Sequence, residues 1–331
     1  MSMRSSGLAE SFRKVNYLIR PSKQVERMLF VDVAHRLVGA GYDVPNYTYV
    51  GLGSVYYADF VLFHKYLGMK NMICAEAAPI PKRMKFNKPY GFIDLRMRPI
   101  SELIPELCPE APHFVWLDYD APLSPEIVQD VSGMLAVLCP GSLLLVTVEA
   151  EIELEMDPVQ LEAEDVPPAE YFEEILEEHR AVFGRFVPRE IQLRDLARNQ
   201  YPTLLAKILR AVIQKCLISR EPALEFHQLF NFRYRDTKQM FTLGGLLTPP
   251  DSRDSLASTH ILDLDFVQEG EEPLEISVPP LTPREKRWLD SQIKRDGLRE
   301  PREPVFELDR AHLLNYAKYY RHYPTFFEAV L

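Results

Sequence analysis

Cysteine and glycine are both sparse in this chain of 331 residues, at four and 14. Cys74, Cys108, Cys139 and Cys216 lie far apart and form no C-x-x-C pair. That excludes the usual zinc spacings and reads as small core residues of a reducing compartment. The histidines are scattered without an H-x-x-x-H pair, so none is assigned to a metal. Long apolar runs are missing. The longest, around 142–148, is far too short to span a bilayer. The opening MSMRSSGLAESFRKV lacks the apolar segment of a secretory signal. Together these absences predict a cytoplasmic protein with no membrane contact. Positive charge is also in deficit. The 38 Lys and Arg stand against 48 Asp and Glu, a net charge of −10, which argues against charge-driven coating of DNA but permits a local basic site.

What is present is the mix of an ordinary globular protein, 47% hydrophobic and 26% charged. The length allows about two domains. Three regions are expected: an N-terminal helical arm at 1–45, an α/β domain at 46–250, and a linker with a C-terminal helical extension at 251–331. The arm is locally basic, with six Lys/Arg against two acids in residues 1–30. Its helix carries Val25, Met28, Leu29, Val33 and Leu37 on one stripe and stops at Gly39 and Gly41.

From 46 to 148 strands and helices alternate. Strands are predicted at 47–50, 72–76, 92–97, 113–120 and 142–148, and helices at 58–67, 81–87 and 125–138. Continuous apolar strands between helices imply a parallel sheet covered on both faces, doubly wound because crossovers are right-handed. Residues 149–178 hold 13 Asp/Glu and no Lys/Arg, the composition of solvated surface. A helix at 203–217 should lie on the sheet. The stretch LEFHQLFNFRYRDTKQMFTLGGLL alternates in two halves split by Arg235-Asp236-Thr237-Lys238, an antiparallel hairpin. Beyond it, one strand is expected at 261–267 and helices at 283–293 and 309–320. Tyr316, Tyr319, Tyr320 and Tyr323 fit one packing face of the last of these.

The chemistry centres on YVGLGSVYY. Gly51 and Gly53 permit a tight turn and close approach of a ligand, and Ser54 stands where a dinucleotide fingerprint has its third glycine. Glu76 ends the next strand, 23 residues after Gly53. A carboxylate there can accept from both hydroxyls of a ribose. Tyr56 and Tyr57 follow the turn, either covering a ligand or packing. The fourth strand ends Asp118-Tyr119-Asp120-Ala121-Pro122. Its two carboxylates can do acid–base work, hold a divalent metal, or serve only as a helix cap and strand end. Glu149 lies on the same rim. Lys82, Arg83, Lys85 and Lys88 form a cluster with no acid between Pro79 and Tyr90, either a solvated helix face or a steering site for a phosphate-bearing substrate.

YVGLGS…ICAE, then VWLDYDAPLS and a final hairpin, resembles a class I S-adenosylmethionine (SAM)-dependent methyltransferase over about residues 46–248. The resemblance implies a seven-stranded, mostly parallel Rossmann-like sheet ending in an antiparallel hairpin. It implies SAM as cofactor, with Gly51, Gly53, Ser54, Glu76 and Asp118 binding it. Asp118 and Asp120 would be catalytic, and Tyr56, Tyr57, Tyr119 and Pro122 would line the acceptor. The acceptor is an oxygen or nitrogen of a small molecule, protein or nucleic acid. Two positions depart from the family pattern. Tyr49 or Thr48 replaces the acid before the first turn, and only Arg98 or Ser101 falls where a polar residue follows the third strand. These departures also allow a degenerate form acting as a ligand sensor or partner-binding module. The late hairpin and the absent third glycine count against an NAD-type oxidoreductase.

Overall fold

The computed structural model describes residues 20–152, 172–267, 269–293 and 304–324. The N-terminal tail, most of the acidic stretch at 149–178 and most of the polar connection at 295–304 lie outside them. Helix α1 (Pro21–Gly39) precedes β1 (Thr48–Leu52), α2 (Ala58–Leu67), β2 (Asn71–Ala75), α3 (Pro81–Asn87) and β3 (Ile93–Arg96). Then come the single turn α4 (Ile100–Leu103), β4 (His113–Pro122), α5 (Pro125–Val137) and β5 (Leu143–Glu149). After α6 (Phe172–Phe183) and α7 (Tyr201–Ile218), β6 (Glu225–Arg235) and β7 (Gln239–Thr248) form the hairpin. A short α8 (Arg253–Ser258), β8 (Leu274–Ile276), α9 (Pro283–Ser291) and α10 (Arg310–Tyr319) complete the elements.

The strands make one sheet in the order β3-β2-β1-β4-β5-β7-β6-β8. The first five run parallel, and β7 is antiparallel to both β5 and β6. The seven expected strands gain an eighth, since β8 pairs in parallel with β6 through Leu274, Glu275 and Ile276. The strand expected at 261–267 is absent. That segment runs in turns that bury Ile261 and Phe266, and the strand forms further on.

Period-two alternation divides the core into two layers. Tyr49, Phe114, Trp116, Leu143 and Leu145 face α1, α2 and α3, with Phe30, Phe60, Phe63 and Met84 packed against them. Val50, Val115, Leu117, Leu144 and Val146 face the opposite way, onto α5 and α7, meeting Val131, Met134, Leu205 and Leu209. All seven residues of β5 are buried, as a central strand covered on both faces requires. Leu289, Leu313 and Tyr316 close a small satellite core between α9 and α10, with Tyr320 and Tyr323 packed on it. Among the described residues no helix is long and apolar enough to cross a membrane.

Candidate active site at the carboxyl ends of β1, β2 and β4

The strand order reverses between β1 and β4, and open α/β sheets bind ligands outside the carboxyl ends of strands at such a switch. Gly51 is in register with Trp116 of β4, and Leu52 with Ala75 of β2. Continuing both registers one or two positions brings Gly53 and Glu76, just past the ends of β1 and β2, level with Asp118 of β4.

The two glycines serve space rather than backbone dihedral, because neither is among the residues with positive φ. A Cβ on Gly51 would lie 2.5 Å from the Tyr49 hydroxyl oxygen. One on Gly53 would lie 2.8 Å from Glu76 Cβ, 2.9 Å from Glu76 Oε2 and 3.1 Å from the Ala75 carbonyl oxygen. Gly53 is therefore what allows the Glu76 carboxylate to close over the turn. Gly53 N–H donates to the Ala75 carbonyl at 2.6 Å, binding the turn to the end of β2. The left-handed residue is Tyr57 instead, at φ 48°, a conformation uncommon for a bulky side chain. It starts α2, and its buried hydroxyl donates to the Met84 carbonyl at 3.0 Å. Ser54 shapes the same turn: Tyr56 N–H donates to Ser54 Oγ at 3.3 Å and Tyr57 N–H to the Ser54 carbonyl at 3.2 Å. Half-buried Tyr56 lines a shallow cavity of about 240 Å³ between α1 and α2 with Gln24, Arg27 and Lys65.

Glu76 Oε1 accepts from Ala78 N–H at 2.7 Å, while Oε2 lies over Gly53. Burial raises its pKa above the ordinary carboxylate value against the pull of the Ala78 and Ala77 amides. A half-buried carboxylate in this state calls for more donors, and a ribose supplies two vicinal hydroxyls. The residues therefore fit the nucleoside half of SAM.

Beneath the turn, Tyr49 stands where the family pattern has an acid, and a carboxylate of α2 reaches it. Tyr49 is fully buried and its hydroxyl donates to Asp59 Oδ2 of α2. Burial raises the Asp59 pKa, and the positive charge of Arg27 works against that rise. Arg98, after β3, pairs with Glu106 at 2.7 Å, and Ser101 is exposed.

At the end of β4, Asp118 and Asp120 alternate with Tyr119, whose hydroxyl points to the other face and donates to Asp130 of α5 at 2.7 Å. Neither aspartate caps α5. Ser124 does, its Oγ accepting from Ile127 N–H at 3.4 Å. Asp118 instead receives Lys23 Nζ on Oδ1 at 2.5 Å. The ammonium is wholly buried, also donates to the Tyr234 hydroxyl at 2.9 Å, and sits 4.3 Å from the centre of the Trp116 ring. Glu26 Oε2 lies 3.1 Å from it, near in distance but without hydrogen-bond alignment. Oε1 of Glu26 accepts from Thr242, whose hydroxyl is joined to Thr147 at 2.7 Å, and Thr147 accepts from Trp116 Nε1 at 2.9 Å. Arg20 lies 3.8 Å from both Asp120 and Asp236. Asp236, in the hairpin turn, takes the N–H groups of Ser22 and Lys23 at 3.0 and 3.1 Å, capping α1 from another part of the chain.

Exposed Pro122 pairs with Glu149 across an irregularity in the β4–β5 register. Glu149 is itself buried, and both its oxygens accept from Lys238 Nζ at 2.7 Å. Among the described residues no group of three or more His, Cys, Asp and Glu side chains is placed to hold a metal ion.

Sequence reading missed Lys23, Glu26 and Arg27, yet a signal for them exists. Positions 23, 26, 27, 30, 33, 34 and 37 follow helical spacing, and from Phe30 onward that face is apolar. Three charged residues on the continuation of a buried stripe mark a buried polar cluster.

A family described as "Putative O-methyltransferase" matches residues 15–331. No curated protein matches the sequence. Solved structures similar to it include the O-methyltransferase TomG from Streptomyces achromogenes in complex with SAM. That pair shares 12% identity and a TM-score of 0.38, covering 73% of this chain and 87% of the other. Another is the N-methyltransferase NodS from Bradyrhizobium japonicum WM9 in complex with S-adenosyl-L-homocysteine, at 9% identity and a TM-score of 0.39, covering 74% and 99%. A third is Trm1 from Pyrococcus horikoshii with SAM, at 13% and 0.41, covering 72% and 57%. The match over nearly the whole chain decides the matter: this protein belongs to the family described as "Putative O-methyltransferase".

Proposed function

We propose that the chain transfers a methyl group from SAM to an oxygen of an acceptor held against the end of β4. One observation carries this reading: the β1–β2 and β1–β4 registers, continued just past the ends of β1 and β2, bring Gly53, Glu76 and Asp118 to one level at the point where strand order reverses. SAM, when bound, supplies a methyl already activated on a sulfonium, so the protein is asked chiefly for alignment and for one proton acceptor.

In this reading Glu76 takes the ribose hydroxyls, and Gly51, Gly53 and Ser54 line the methionine portion. Lys23 holds Asp118 by Oδ1, leaving Oδ2 to accept the proton of an acceptor hydroxyl. Asp120, near Arg20, faces the same side of β4 two residues on. Tyr56 and Pro122 border the acceptor space. Tyr57 and Tyr119 act through packing and through their bonds to Met84 and Asp130. The cytoplasm is the compartment proposed, from the four unpaired cysteines.

Calorimetric titration of the folded protein with SAM and with S-adenosyl-L-homocysteine tests the donor half. Saturable heat and a raised melting temperature are expected, and their absence with both ligands sinks the reading. Labelled SAM incubated with fractionated cell extract tests the other half, with mass spectrometry locating the transferred methyl on oxygen or elsewhere.

A further inference from the structure

Between Phe60 and Ile93 the chain carries Lys65, Lys70, Lys82, Arg83, Lys85 and Lys88 but a single acid, Glu76, in a protein whose net charge is −10. Lys65 lies on α2, and Lys82, Arg83 and Lys85 lie on α3 with Lys88 directly after it. Helix α3 is fixed to the core by buried Met84, whose carbonyl accepts from Tyr57. Two positions along a helix turn a side chain by about 200°, so Phe86 is directed away from Met84, and it is 89% exposed. Lys82, Arg83 and Lys85 are exposed around it. After α3 the chain folds back so that Tyr90 and Phe92 stack at 5.1 Å and 14°, with the His64 ring of α2 at 4.6 and 4.8 Å from them. That contact joins α3's outlet to the end of α2, where Lys65 and Tyr66 are exposed. Lys88 donates to the Ile93 carbonyl at 3.0 Å, within the same surface. Asp94, the next acid along the chain, is taken by Arg96 at 2.7 Å.

We infer that this surface binds single-stranded RNA, with phosphates on Lys82, Arg83, Lys85 and Lys65 and an unstacked base on Phe86. The charge complements a phosphodiester backbone, and an aromatic ring left outside the core offers what a splayed base needs. A duplex keeps its bases stacked and gives Phe86 no partner, whereas RNA loops present them. The patch belongs to the β2–β3 side of the sheet and asks nothing of the methyl-transfer reading, so it is tested without SAM.

The measurement is fluorescence anisotropy of a labelled 15-nucleotide mixed-sequence RNA titrated with the full chain at several salt concentrations. Binding is expected to weaken with a slope of log affinity on log salt of about −3, for four neutralised phosphates. Lys82→Glu/Arg83→Glu/Lys85→Glu should abolish it, and Phe86→Ala should weaken it about tenfold. All four positions are exposed, and circular dichroism with melting temperature confirms that each variant folds. No binding at low salt, binding indifferent to the triple variant, or equal binding to duplex of the same length would each overturn the proposal. So would co-sedimentation with phosphatidylserine vesicles in place of RNA binding. Calorimetry with SAM on the triple variant should match the wild type, which separates the patch from the donor site.

Discussion

Lys23 Nζ lies 2.5 Å from Asp118 Oδ1, so a helix that precedes the sheet supplies the cation for a carboxylate at the sheet's carboxyl rim. The ammonium is fully buried while the aspartate keeps 21% of its side chain exposed. The pair is thus buried on its cationic side and open on its anionic side.

Lys23→Met should be severely destabilising, because Asp118 and buried Glu26 would then lack their common counter-charge. Breaking a buried pair from one side costs about 3–5 kcal/mol. Adding Glu26→Gln should return part of the loss. Urea unfolding of the single and double variants measures both, and a loss below about 1 kcal/mol for Lys23→Met would contradict the burial described.

Glu26 gives a pH dependence of defined sign. Burial raises its pKa above the ordinary carboxylate value, against the pull of Lys23. The folded state therefore holds its proton to higher pH than the unfolded chain does. This contribution to stability is complete below the unfolded pKa and is lost as pH rises through the folded one. Glu26→Gln should flatten that part of the stability profile, read from urea midpoints between pH 4 and 8. An unchanged slope would show that Glu26 is not its source.

Glu76→Gln keeps the shape of the carboxylate but removes its charge, and should weaken SAM binding by about 1.5–3 kcal/mol, the worth of hydrogen bonds to a charged group. Isothermal calorimetry gives the value directly. Gly53→Ala should weaken SAM binding further and lower the melting temperature, since its Cβ would meet Glu76 and the Ala75 carbonyl together. A variant that melts and binds like the wild type would remove the close packing of turn and carboxylate from the argument.

Asp236→Ala should release the first turn of α1. Loss of such a cap costs about 1 kcal/mol, and hydrogen exchange should speed at Ser22 and Lys23, whose amides it accepts. Unaltered protection there would mean that the cap is not what holds the turn.

The parallel half of the sheet was legible because its signals are local. Helices α2 and α3 fall at 58–67 and 81–87 as the spacing predicts, and the first five strands differ from expectation by one or two residues at their ends. The turn at Gly51 and Gly53 and the strand end before Glu76 were readable for the same reason: both are set by neighbours in sequence. Strand β8 was not, since Leu274-Glu275-Ile276 is too short for a period and exists only where β6 offers an edge. The polar cluster was illegible for a related reason. Lys23 looks like any helix-surface lysine until Asp118 and Tyr234, 95 and 211 positions away, are brought to it.

Those separations set an order of events in synthesis. The amides of Ser22 and Lys23 find their acceptor at position 236, and the Lys23 ammonium finds a phenol at 234. Helix α1 leaves the ribosome before its partners and cannot reach its final bonding until the β6–β7 hairpin follows, more than two hundred residues later. The cluster around Lys23 is therefore assembled last, and a chain halted before residue 234 would carry the glycine turn and Glu76 without the Tyr234 hydroxyl that helps hold Lys23 against Asp118.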